Sequence, residues 1–140
     1  MDRWTDQETW GGEAIPREGD TVYVPKGMTL LIDDSTAVLN TVIVEGKIKF
    51  ADEKDMTFDA HYFLIKEGVF EAGTEEQPYE HKLVFTMHGG YFDKQLPIFG
   101  NKMIACMNCK FNMNGKVRTP TWTEVLSTIS PGDTSFEVIE

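Results

Sequence analysis

One corner motif recurs along this chain at nearly constant spacing, and it restricts the fold more than any other feature. Val22-Tyr-Val24-Pro-Lys-Gly27-Met-Thr-Leu30, Val42-Ile-Val44-Glu-Gly46-Lys-Ile48-Lys-Phe50 and Phe63-Leu-Ile65-Lys-Glu-Gly68-Val-Phe70-Glu-Ala72 align as strand, corner, strand. Leu83-Val-Phe85-Thr-Met87-His-Gly89 and Ile104-Ala-Cys106-Met-Asn108-Cys-Lys-Phe111 continue the series. Corners then fall at Gly27, Gly46, Gly68, Gly89 and Asn108, separated by 19, 22, 21 and 19 residues. Such a corner is expected to need left-handed backbone, cheap for Gly and tolerable for Asn.

A period of roughly twenty residues, with two short alternating strands per unit, is the mark of rungs that stack into parallel sheets. Helical periodicity is nearly absent. The chain is therefore expected to be all-β, a right-handed parallel β-helix-like solenoid of about five rungs; an antiparallel β-sandwich is the alternative, since strands every 8 to 12 residues also fit one. Inward positions are read as Val22, Val24, Leu30, Val42, Val44, Ile48, Phe50, Phe63, Ile65, Phe70, Leu83, Phe85 and Phe111. Trp4 and Trp10, ahead of Gly11-Gly12, read as a segment capping the N-terminal end. Residues 74–80 and 90–101 read as insertions, which in solenoids often build a binding face.

The 140 residues make a single domain, 1–140. No apolar run approaches the roughly eighteen residues of a membrane span, so no direct membrane insertion is expected. The net charge of −10 argues against nucleic acid, but it is segregated. Residues 1–80 carry −11, residues 81–120 carry +5 and residues 121–140 carry −4. Lys94, Lys102, Lys110, Lys116 and Arg118, with Lys82, thus form a candidate basic face for an anionic partner. The plainer reading pairs these cations with the acidic half across the fold. Tyr91, with Tyr79, Phe92 and Phe99, would add aromatic contact to a sugar-binding face, or would anchor a minicore under the 90–101 loop.

In this order and at this spacing the residues resemble the G8 domain family. The resemblance is carried by Trp4, Trp10-Gly-Gly12, Pro16-x-x-Gly19-Asp20, Gly27 with Leu30-Leu-Ile-Asp33, Leu39-x-x-Val42-x-Val44-x-Gly46, and Gly68-x-Phe70-x-Ala-Gly73-Thr-Glu75-x-x-Pro78-Tyr. His88-Gly89, Phe99-Gly100-Asn-Lys102, Asn114-Gly115-Lys116 and Thr121-Trp-Thr123 complete it. Within the family the Gly-Thr-Glu-x-x-Pro-Tyr and Phe-Gly-Asn-Lys runs are most similar to the fibrocystin branch. Asn108 stands where many members have Gly, and the Cys106/Cys109 pair is not a family feature. The resemblance implies an extracellular module of a cell-surface, ciliary or secreted protein, excised from a larger ectodomain and cut before the next rung. It also brings in hyaluronan, on which some members act, and calcium, which enters only by family analogy; no other cofactor is expected.

Chemistry is sparsely written in the residues. Cleavage of a polysaccharide needs two carboxyl groups about 5 to 9.5 Å apart, and Asp33 and Glu75 are the carboxylates at family pattern positions. Turn roles account for both equally well. His88 near Cys106 and Cys109, with His81 as a fourth, is the candidate metal set; a disulfide or two free thiols are the alternatives. A nucleophile elbow, a phosphate loop and a dinucleotide fingerprint are all missing. The function expected first is a non-catalytic module for interaction or scaffolding, with neighbouring domains of the same ectodomain as partners and a dimer through an exposed end rung as a further partnership. A glycosaminoglycan-binding module, or part of a hyaluronan-cleaving enzyme completed by downstream rungs, are the alternatives.

Overall fold

The computed structural model describes residues 1–117 and 122–139, so Arg118 and Thr121 lie outside the described residues. Ten strands follow in order: β1 (Asp2–Arg3), β2 (Thr21–Val24), β3 (Thr29–Ile32), β4 (Leu39–Val44), β5 (Lys47–Phe50), β6 (Met56–Lys66), β7 (Val69–Ala72), β8 (Leu83–Met87), β9 (Met103–Met107) and β10 (Lys110–Met113). One 3-10 turn, Gln7–Trp10, precedes β2. Period-2 alternation puts one side of β2, β3, β5 and β7 in the core.

The strands form two sheets, β1-β3-β5-β7-β10 and β2-β4-β6-β8, with β9 also on β6. Every pairing between named strands is parallel, which excludes the antiparallel sandwich. The chain alternates between the sheets, and this is the solenoid-like arrangement expected. Equivalent residues stack in register: Val22 on Val42 on Phe63 on Ile104, and Leu30 on Ile48 on Phe70 on Phe111. Phe50, Phe58, Phe70 and Phe85 fill the space between the sheets, with Phe50 edge-on to Phe85 at 5.3 Å. Each fully buried side chain of this size contributes about 1.5–3 kcal/mol relative to exposure. Phe111 stacks on Phe70 at 5.0 Å yet stays 40% exposed, because no further rung covers it among the described residues.

The corner glycines work differently from the sequence expectation. At the third corner the left-handed residue is Glu67 (φ 58°), one place ahead of Gly68, which stacks on Gly46 in a glycine column; Asn108 (φ 50°) is left-handed as expected. Gly46 and Gly68 sit in that column because the preceding rung passes too close for a side chain. A Cβ at Gly68 would stand 2.6 Å from the Val44 carbonyl oxygen and 2.9 Å from that of Gly46. Gly27 (φ 89°) does have the expected left-handed backbone.

Gly89 is not a corner at all. β8 and β9 pair with successive parts of β6, Met87 on Ala60 and Met103 on Tyr62. They share one rung, interrupted by the loop 88–102. The inward set of β6 shifts by one residue at this level, from Met56, Phe58 and Ala60 to Phe63 and Ile65, as a bulge would shift it. β4 shows the same shift between Leu39 and Val42. The loop leaves where the strand is already irregular.

The N-terminal segment caps the first rung. Trp4 is buried with Trp10 edge-on at 5.1 Å, and Trp10 Nε1 donates to the Trp4 carbonyl at 2.9 Å. Asp33 ties the cap down by accepting from Thr5 N (3.1 Å) and Thr5 Oγ1 (2.8 Å). Gly68→Ala is expected to cost about 1–3 kcal/mol through overpacking, read as a lower unfolding midpoint. Gly90→Ala, with open space around its Cα, is the control and should change stability by less than about 0.5 kcal/mol.

Candidate functional site in the last rung

Charge pairing separates the last rung from the others. Arg3 meets Asp33 and Glu53, Lys26 meets Glu67, Lys47 and Lys49 meet Glu71, Lys54 meets Asp34, and Lys66 meets Glu45. Lys47 and then Lys49 hydrogen-bond Glu71 and hold its carboxyl below the usual range against partial desolvation. Of the cations in residues 81–117, Lys116 alone has such a partner, Glu80 at 3.2 Å. The ammonium groups of Lys82, Lys94, Lys102 and Lys110 have no carboxylate within 4.0 Å among the described residues, although the Lys82 main-chain N–H donates to Asp55 Oδ1 at 2.8 Å. Neutralisation by the acidic half therefore holds for Lys116 and not for the rest.

The fold spreads these cations around one rung. Lys94 and Lys102 belong to the loop beside the β2-β4-β6-β8 sheet, Lys110 begins β10 in the other sheet, and Lys116 follows β10. The loop itself is pinned at its base. His88 Nε2 lies 2.9 Å from Asp59 Oδ1, the His61 ring centroid is 6.0 Å from that of His88, and the Tyr62 hydroxyl donates to the Lys94 carbonyl. Gly90 N donates to Asp93 Oδ2 at 2.7 Å, and Asn101 Nδ2 donates to the Gly90 carbonyl at 3.0 Å. Beneath the loop is a cleft of about 340 Å³ lined by Gly19, Asn40, His61, Tyr62, Asp93 and Lys94.

The aromatics divide. Tyr79 is part of the main core, its hydroxyl donating to the Ala51 carbonyl at 2.8 Å, and burial followed by the charges of Asp52 and Asp55 pushes it up to about 12. Tyr91 and Phe92 anchor no minicore: they are 89% and 95% exposed. Asp33 and Glu75 stand in different connections, after β3 and after β7. The Asp33 side chain is only 7% exposed and engaged by Thr5 and Arg3. Glu75 is exposed on a cleft of about 470 Å³ that also takes in Glu71, Glu76 and Phe111.

Cys106 and Cys109 are bonded to each other across the Asn108 corner, with Cα atoms 5.5 Å apart. Neither sulfur is available to a metal, and the candidate set loses two of its members. Its histidines go elsewhere, His88 to Asp59 and His81 Nδ1 to Asp52 at 2.7 Å. Among the described residues no group of three or more His, Cys, Asp or Glu is placed to hold a metal ion.

The Asp59–His88 contact is the feature the sequence did not show. Alternation along β6 puts Asp59 and His61 on one face, but only the register of β8 on β6 brings His88 to them. Burial raises the Asp59 carboxyl, yet hydrogen bonds from His88, Thr57 and Thr86 outweigh it, so its pKa lies below the unfolded value of 3.8. A depressed carboxylate stabilises the fold fully above its unfolded pKa and stops doing so as pH falls through the folded one. Asp59→Asn is expected to cost about 1.5–3 kcal/mol at neutral pH. The gap to the parent chain should close as pH drops below 3.8, which unfolding midpoints measured across that range would show.

The G8 domain model matches residues 9–126. Human (Homo sapiens) fibrocystin-L is 35% identical over 134 residues, 95% of this chain and 3% of that protein. Mouse (Mus musculus) fibrocystin is 30% identical over 133 residues, 94% of this chain and 3% of the relative, and protein rliB of Dictyostelium discoideum is 27% identical over 139 residues, 93% of this chain and 12% of the relative. The chain thus spans a small fraction of the relatives it matches. No solved structure matches it. A capped parallel solenoid with these residues at these corners, matched over most of its length, makes the chain a member of the G8 domain family.

Proposed function

We propose that this domain is a non-catalytic extracellular module of a fibrocystin-like surface protein, and that it docks neighbouring parts of that protein through its last rung. One observation carries this reading: the stacked columns end at β9 and β10 with apolar side chains uncovered. Ile104, Phe111 and Met113 are exposed there, whereas their counterparts Phe63, Phe70 and Ala72 are buried. An apolar sheet end with unpaired main-chain groups favours an abutting surface. The Cys106–Cys109 disulfide suits an oxidising compartment.

Amide exchange tests the docking. In the longer parent polypeptide, the amides of Met103–Met107 and Lys110–Met113 should exchange more slowly than in the isolated chain. Equal rates would sink the docking role.

A glycosaminoglycan-binding role is favoured by a separate observation, the four lysines without carboxylate partners. Labelled hyaluronan, with and without calcium, should then bind at low salt and dissociate at high salt without shortening. Charge reversal of Lys94, Lys102 and Lys110 together should abolish that binding. Salt-independent retention would remove this role, and shortening of the polymer would overturn the non-catalytic one.

A further inference from the structure

The loop between β8 and β9 carries three large apolar side chains almost wholly in water: Tyr91 at 89%, Phe92 at 95% and Ile98 at 97%. Folding does not account for them. Ile98 sits at the apex of a tight hairpin closed by reciprocal hydrogen bonds between Leu96 and Gly100, 2.8 and 3.0 Å, and its φ is 73°. A β-branched residue in left-handed backbone is strained, and strain of this kind persists where something other than local stability selects it. Gly or Asn would hold the same turn more cheaply. Tyr91 and Phe92 stand edge to face at 5.2 Å with almost no other cover. The loop is nonetheless ordered from below by the Asp59–His88, Tyr62–Lys94 and Asn101–Gly90 contacts. It presents its apolar groups on a fixed base.

The charge around the tip narrows the choice of what covers it. Lys94 and Lys102 flank it without carboxylate partners among the described residues, while the one acid of the loop, Asp93, is occupied by the Gly90 N–H. Aromatic and aliphatic knobs that project, set among free ammonium groups, match the headgroup region of an outer leaflet containing anionic, sialylated glycolipid: the rings enter the acyl boundary and the lysines meet phosphate and sialic carboxylate. We propose that the 88–102 loop is a membrane-contact site that seats Tyr91, Phe92 and Ile98 in an anionic lipid interface. The contact is interfacial and needs no spanning segment, and no helix among the described residues is long and apolar enough to cross a membrane. With −10 overall, the remaining surface is repelled by the same lipids, so attachment is oriented through the loop. The site is separate from the end of the solenoid, so its failure leaves the docking role of β9 and β10 untouched.

Vesicle flotation of the chain tests this, using phosphatidylcholine alone and phosphatidylcholine mixed with a sialylated glycolipid, at low salt. The parent chain should float with the mixed vesicles and less with the neutral ones. The combined change Tyr91→Ser, Phe92→Ser and Ile98→Ser should lower partitioning by about tenfold or more. Lys94→Glu with Lys102→Glu should remove the preference for the anionic glycolipid. Ile98→Gly alone separates the site from fold effects: it should weaken flotation while leaving the unfolding midpoint unchanged or raised. If the parent chain floats with neither vesicle, the lipid assignment is wrong and the tip belongs to a protein pocket. Flotation undiminished by the triple change, or lost only with the lysines, would overturn it as well.

Discussion

Everything in this domain depends on the close parallel stacking of one rung on the next. The main-chain ladder sets a rung spacing of about 4.8 Å, and at the second and third corners it brings backbone against backbone with no room for a side chain. Gly46 and Gly68 mark that limit: the preceding rung's carbonyl oxygens occupy the space their Cβ atoms would need. Once the corners stack, the side-chain columns follow without further instruction. Val22, Val42 and Phe63 are brought together by register, as are Leu30, Ile48 and Phe70.

The same constraint explains why the interesting chemistry lies at the end of the stack and beside it. Inside, every position is answered by the rung on either side, and the outer faces of the early rungs are neutralised by cross-strand pairs such as Lys47 and Lys49 with Glu71. The last rung has a neighbour on one side only. Its inward residues become partly exposed, its lysines other than Lys116 lack acidic partners, and its corner carries Cys109 at the level where earlier rungs have Gly68 and Gly46. The disulfide to Cys106 closes that corner covalently.

The loop 88–102 shows how an insertion is accommodated without breaking the stack. β8 and β9 keep their register on β6 across the interruption, and the loop emerges where β6 and β4 both skip a residue in their alternation. The sequence showed a regular corner at Gly89, because the spacing from Gly68 happens to match the period. Spacing along the chain reports neither which strand a segment pairs with nor whether two segments share a rung. That is also why the approach of His88 to Asp59 could not be read from either residue.

Alternation and period were enough to read parallel rungs, the inward positions from Val22 to Phe70, and the capping role of Trp4 and Trp10. These are local or repeating properties, and the physics of a two-residue strand period and a stacked corner leaves few alternatives. Exposure of Tyr91 and Phe92, the burial of Tyr79 and the engagement of Asp33 by the cap were decided by tertiary structure alone. Each depends on what the next rung or the returning loop places beside the residue, and a single chain carries no record of that until the rungs are stacked. The pairing of Cys106 with Cys109 stood among three options in the sequence; the sharp Asn108 corner selected one by bringing their Cα atoms within 5.5 Å.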